Sequence, residues 1–183
     1  RVFSACAGAA LYRREVFEEI GYFDEQHFAY LEDLDVGYRA RIAGYDNIYC
    51  PTALVHHVGS GTSGSKYNSF KVRLAARNSV YLNYKNMPLF QLALNLPGIA
   101  AGVVLKYAFF HKLGFGREYI SGLKEGLSTR KKCKKVTYQP SRLRNYLVIE
   151  GELLAATVLY VYEFSSRQLA KLICRAKTSR QPR

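Results

Sequence analysis

The sequence predicts an α/β segment over residues 1–65 followed by a mainly α-helical, basic region over 66–183. Three observations carry this division. Runs of strand-like composition bracket two stretches with helical spacing before residue 65. Formal charge changes sign at that point: residues 1–65 hold five Lys/Arg against nine Asp/Glu, and residues 66–183 hold twenty-two against five. Beyond it, apolar residues gather into long runs rather than alternating.

The elements follow in order. SACAGAALY (4–12) is small and apolar, as a buried strand or a strand with a tight turn requires where backbones approach closely. RREVFEEI (13–20) predicts a short helix closed by Gly21, a residue suited to the left-handed conformation at a helix end. Leu34, Tyr38 and Ile42 recur at steps of four, predicting a helix from about Glu32 to Gly44. NIYCPTALVHHV reads as two short extended segments broken by Pro51, and GSGTSGS (59–65) as a loop. Residues 66–86 have helical spacing with basic residues on one side. The stretch 89–110 has one charge, Lys106, and is long enough to cross a bilayer, which takes about 20 apolar residues. Its central Pro97-Gly98 fits an interfacial or re-entrant helix pair. Residues 128–144 form a basic linker, and 147–174 a long helix with a wide apolar face.

With 183 residues, about half of them apolar, the chain can bury a core. Its net charge of +13 calls for an anionic partner: nucleic acid, anionic lipid or a phosphorylated substrate. The four cysteines are far apart with no Cys-x-x-Cys pair, which removes zinc spacing and points to a reducing compartment. The chain begins at Arg1 rather than Met, and is expected to be part of something longer.

Two constellations bear chemistry. Glu32, Asp33 and Asp35 stand within four positions after the apolar lead-in Phe28-Ala29-Tyr30-Leu31. One acid suffices to complement the positive end of a helix dipole. Three after an apolar approach suggest a carboxylate presented from a rigid helix start, as a general base requires. The second is His56-His57 running into the Gly/Ser loop, suited to phosphate oxygens or a divalent ion beside them. Neighbours in a strand face opposite ways, so one of the two histidines at most enters a given site. A Walker loop fails because Ser65 occupies the lysine position after Gly64, and Asp33-Leu34-Asp35-Val36-Gly37 lacks the third acid of an EF-hand.

Taken together, residues 8–11, Arg13 and Arg14, Gly21-Tyr22-Phe23-Asp24-Glu25, Glu32-Asp33-Leu34-Asp35, Arg39 and His56-His57 resemble, in order and spacing, part of the family 2 glycosyltransferases. The likeness is to the C-terminal, acceptor-side half of a GT-A (Rossmann-like) catalytic domain, in the rhamnosyltransferase-like branch. Arg77-Asn78 and Lys85-Asn86-Met87-Pro88 extend it.

The resemblance implies inverting transfer of a sugar from a nucleotide-sugar donor to a hydroxyl of a glycan or lipid-linked acceptor, in cell-envelope polysaccharide synthesis. It implies Asp33 as the base, Glu32 as its catalytic neighbour, and Asp35 and Arg39 at the acceptor. His57, in preference to His56, would complete an Mg²⁺ or Mn²⁺ site at the donor diphosphate. The donor-binding half with its Asp-x-Asp is missing from these residues, so the chain alone is expected to be inactive. The basic region is expected to dock on the cytoplasmic face of the cell membrane. The rivals are a noncatalytic nucleic-acid-binding module and a membrane adaptor. Against the former, no helix-turn-helix, RNP or zinc pattern is present, and no nucleic-acid partner is expected.

Overall fold

The computed structural model describes residues 1–56 and 64–178. Its α-helices are α1 (Arg14–Ile20), α2 (Glu32–Ala43), α3 (Ser69–Asn86), α4 (Leu89–Lys112), α5 (Gly116–Thr129) and α6 (Leu143–Thr178). The chain divides into two compact units, Arg1–Asn145 and a second beginning at Tyr146. The composition change at 65/66 falls within the first.

The expected α/β architecture is not what forms: among the described residues there is no strand and no sheet, so this part is not Rossmann-like. Val2 and Asn47 make one isolated antiparallel bridge, with the Val2 amide donating to the Asn47 carbonyl at 2.9 Å. Residues 7–9, read as strand, make a single 3-10 turn, and 48–56 carry no regular element. A strand exists through its ladder of hydrogen bonds, and among the described residues the one bridge, Val2 to Asn47, lies beside these runs rather than in them. Ala and Gly add little side-chain packing to hold such a strand. The apolar side chains of Ile48, Tyr49, Leu54 and Val55 remain exposed.

The helices follow local signals closely. Gly21 closes α1 at φ +80°, and Gly44 closes α2 at φ +96° while its amide donates to the Ala40 and Arg41 carbonyls. Asn68 caps α3, its side chain accepting from the Lys71 amide at 2.8 Å. The apolar stretch after Pro88 forms one continuous helix through Pro97 rather than a helix pair. Its 24 residues span about 36 Å. The sequence reading passed over α5.

Glycines decide how α5 meets α3. A Cβ on Gly122 would stand 2.1 Å from the Arg73 carbonyl oxygen, and one on Gly126 would stand 2.8 Å from that of Arg77. Spaced four apart, they let the helix backbones come together. Val72, Ala76 and Tyr119 form the core there, joined by Val103 and Phe110 of α4. Gly122→Ala is therefore expected to force α3 and α5 apart at a cost of about 1–3 kcal/mol. A lowered urea midpoint measures it, with Gly98→Ala, where no atom lies within 4 Å of the added carbon, as the matched control.

In the second unit, α6 presents Val158, Leu159, Tyr160, Val161, Tyr162 and Phe164 as exposed side chains. Tyr160 and Phe164, one turn apart, stack with centroids 6.4 Å apart.

Candidate active site

The carboxylate cluster sits where the backbone is least relaxed. Phe28, Tyr30 and Leu31 all have φ between +61° and +68°, a region side-chain-bearing residues rarely enter. Such a loop persists only where its surroundings hold it. The holding comes from α3. Asn78, fully buried, donates from Nδ2 to the carbonyls of His27 (2.8 Å), Ala29 (2.7 Å) and Tyr30 (2.7 Å). Arg77 donates from Nη2 to the carbonyls of Gln26 (3.0 Å) and His27 (3.1 Å). Two adjacent α3 side chains thus satisfy the carbonyls that the unusual backbone turns away from any regular ladder.

Two turns further along α3 the same helix reaches under α2. Asp35 is fully buried. Its Oδ2 accepts from Arg39 Nε (3.0 Å) and Lys85 Nζ (2.9 Å), and its Oδ1 from Asn86 Nδ2 (2.8 Å). Arg39 also pairs with Asp35 through Nη2 at 2.9 Å. It donates besides to the carbonyls of Ile20, Gly21 and Tyr22 at 2.6–2.9 Å, clamping the end of α1. Lys85 donates to Asp24 Oδ2 as well, at 2.7 Å. Burial opposes ionisation of Asp24, but the Lys85 ammonium and the Gln26 amide outweigh it and hold the carboxyl below its usual range. Asp35 and Arg39, expected at the acceptor, thus spend their polar atoms on joining α1, α2 and α3.

Glu32 and Asp33 face differently. Asp33 is half-buried. Its Oδ2 accepts from the Ala7 amide at 3.2 Å and its Oδ1 from the Leu34 amide at 2.8 Å. These two bonds aim the carboxylate, and no cation pairs with it among the described residues. Beside it, Glu32 Oε2 and the Tyr12 hydroxyl are buried atoms with no hydrogen-bond partner among the described residues. Burial first, then the nearby negative charges of Asp33, Cys6 and Glu32, push the Tyr12 phenol above its ordinary range. The arrangement leaves oriented carboxylate and hydroxyl oxygens with capacity for a polar ligand.

Sequence reasoning passed over Tyr12 as a site residue. It noted Arg77-Asn78 and Lys85-Asn86 as a pattern without a role. Their spacing of eight residues, just over two helical turns, was the available signal that both pairs lie on one face of α3.

His56 is exposed, and His57 lies outside the described residues. Among the described residues no three His, Cys, Asp or Glu side chains are grouped as a metal ligand set. They therefore do not by themselves fit a divalent cation.

His27, fully buried beneath the loop, has neither ring nitrogen hydrogen-bonded among the described residues. Desolvation, only partly offset by Asp35 and Asp24, holds its pKa below the usual value of 6.5. The unfolded chain takes up this proton as pH falls through about 6.5, and the native state does so only at lower pH. Stability contributed above pH 6.5 is thus lost on acidification, by up to about 1.4 kcal/mol per pH unit. Urea midpoints are expected to fall between pH 7.5 and 5.5, and a His27→Gln variant should lose that part of the slope.

Residues 2–80 match the family model described as "Glycosyltransferase like family 2". The chain is also 43% identical over 53 residues to the N-acetylglucosaminyl-diphospho-decaprenol L-rhamnosyltransferases of two Mycobacterium tuberculosis strains, CDC 1551/Oshkosh and ATCC 25618/H37Rv. Each match covers 28% of this chain and 17% of the relative, so the chain spans about a sixth of the length of the curated relatives it matches. No solved structure matches. The buried supports and the presented acids of the α2 start all lie within residues 2–80 or just beyond, the stretch over which the chain is similar to the family 2 glycosyltransferases and to these rhamnosyltransferases.

Proposed function

We propose that the protein supplies the acceptor side of an inverting glycosyltransferase. The acceptor hydroxyl loses its proton to Asp33 while its oxygen attacks the anomeric carbon of a nucleotide sugar. The bond to the nucleoside diphosphate breaks on the opposite face. Glu32 and Tyr12 bind neighbouring hydroxyls of the acceptor. Asp35 and Arg39 act from behind, keeping the α2 start in place.

The observation that carries this reading is the contrast between two acids two residues apart. Asp35 is buried between Arg39 and Lys85, whereas Asp33 is oriented by two amides and left open. A base must be both positioned and reachable. The acceptor is a lipid-linked glycan of the cell envelope at the cytoplasmic face of the membrane, a reading supported by what the mycobacterial relatives are named for and by α4. That helix alone among the described residues is long and apolar enough to cross a membrane, and Leu94, Leu96, Val104 and Leu105 on it are exposed. No step is assigned to a divalent cation.

The test is nucleoside diphosphate release by the full-length protein from a panel of nucleotide sugars, with and without a membrane lipid extract as acceptor. Lipid-dependent release that vanishes in Asp33→Asn is expected. Release unaltered in that variant would overturn the assignment.

A further inference from the structure

The basic linker is not a loose tail. Cys133 is buried, with its thiol pushed up to about 11 chiefly by desolvation, and the Val136 amide donates to the Lys85 carbonyl at 2.9 Å. Two anchors three residues apart fix the backbone between them, while Lys132, Lys134 and Lys135 stay exposed. These three lysines line a cleft of about 710 Å³ whose other wall is the end of α1 and the Gly21–Gln26 loop.

The cleft's acids are mostly answered from within. Arg142 pairs with Glu19 at 2.8 Å, and Lys85 pairs with Asp24 at 2.7 Å. What remains facing the cleft is three lysines against Glu25. One of the three, Lys135, lies over the Tyr84 ring at 5.2 Å.

A second cavity, of about 540 Å³, shares Lys135 and Val136 with the first. Its remaining wall is Pro88, Leu89, Phe90, Ala93 and Tyr138, with the Phe90 and Tyr138 rings edge to face at 6.1 Å. It therefore opens along the first turns of α4, the apolar helix. A cationic cleft running into an apolar groove at the foot of such a helix matches one kind of molecule: an amphiphile with a phosphorylated head and a hydrocarbon chain.

We propose that the linker and the start of α4 hold a lipid diphosphate, with the head at Lys132, Lys134 and Lys135 and the first carbons of the chain against Phe90 and Tyr138. This rests on the lipid-linked acceptor proposed above and locates where its lipid end is gripped. Soluble diphosphates share the head chemistry but have nothing to place in the apolar groove.

The experiment is calorimetric titration of the full-length protein with farnesyl diphosphate, inorganic diphosphate, uridine diphosphate and farnesol. In the binding that depends on Lys132, Lys134 and Lys135, farnesyl diphosphate is expected to be at least tenfold tighter than any of the other three. Changing Lys132, Lys134 and Lys135 together to Ala should weaken it by about tenfold to a hundredfold. Tyr138→Ala should weaken farnesyl diphosphate but not inorganic diphosphate. All four substituted side chains are exposed, and circular dichroism checks the fold. Inorganic or uridine diphosphate binding as tightly as farnesyl diphosphate and losing that affinity with the three lysines, or farnesyl diphosphate binding unchanged by loss of the lysines, would overturn the proposal. Because binding is read without turnover, a protein that binds as expected yet transfers no sugar sinks the enzymatic reading alone. One that transfers sugar but does not bind farnesyl diphosphate sinks this site alone.

Discussion

Turnover of the Asp33→Asn variant, measured in the full-length protein, is expected on the proposed reading of Asp33 as general base to fall by ~10² to 10⁴, the usual contribution of such a group. The amide is nearly the same size, and its oxygen can still accept from the Ala7 or Leu34 amide, so the local backbone is preserved. What is lost is a place for the proton. Binding of the nucleotide sugar should therefore be nearly unchanged, and the defect should lie in kcat. Glu32→Gln serves as the comparison. Its Oε2 is buried and unengaged among the described residues, so the expected effect is weaker acceptor binding, read as a raised KM. An Asp33→Asn enzyme with normal turnover would remove the base from this residue whatever the fate of the rest.

The second large effect is on stability. Asp35→Ala leaves Arg39 and Lys85, exposed by only 6% and 5%, without the carboxylate they share. Breaking a buried ion pair by removing one partner costs about 3–5 kcal/mol, because the remaining charge keeps its desolvation penalty. Lys85 retains Asp24, and Arg39 retains the α1 carbonyls, so the lower part of that range is expected. Chemical denaturation read by circular dichroism gives the value. A double-mutant cycle with Lys85→Met should show strong coupling, since both changes act on one network. Asp35→Ala should also depress activity, but through disorder at the α2 start. An osmolyte that favours the folded state should then restore part of it, which it cannot do for Asp33→Asn.

These two acids show how far a linear pattern reaches. Glu32-Asp33-Leu34-Asp35 was legible as a carboxylate cluster, and its place at a helix start followed from the step-of-four recurrence of Leu34, Tyr38 and Ile42. The division of labour within the cluster was not. Which carboxylate is buried depends on α3, more than thirty residues downstream, and on whether its Lys85 and Asn86 face α2. Residue order alone does not contain that distance.

By itself the sequence determined the helices with local signals, α1 and α2 with their closing glycines and α3 through its helical spacing, whereas the apolar stretch after Pro88, read as fitting a pair broken at Pro97, is one continuous helix. It also determined the chemistry on offer, three acids in four positions and a basic region after residue 65. These are short-range properties, set by backbone geometry and side-chain type within a few turns. Tertiary structure alone decided the rest. The strand-like runs 4–12 and 48–56 did not become strands, because a strand needs partners along its length and, among the described residues, the one bridge, Val2 to Asn47, falls just outside both runs. Asp35 became a buried link and Asp33 a presented carboxylate, because burial belongs to neighbours brought from elsewhere in the chain, and burial governs what a charged group can do.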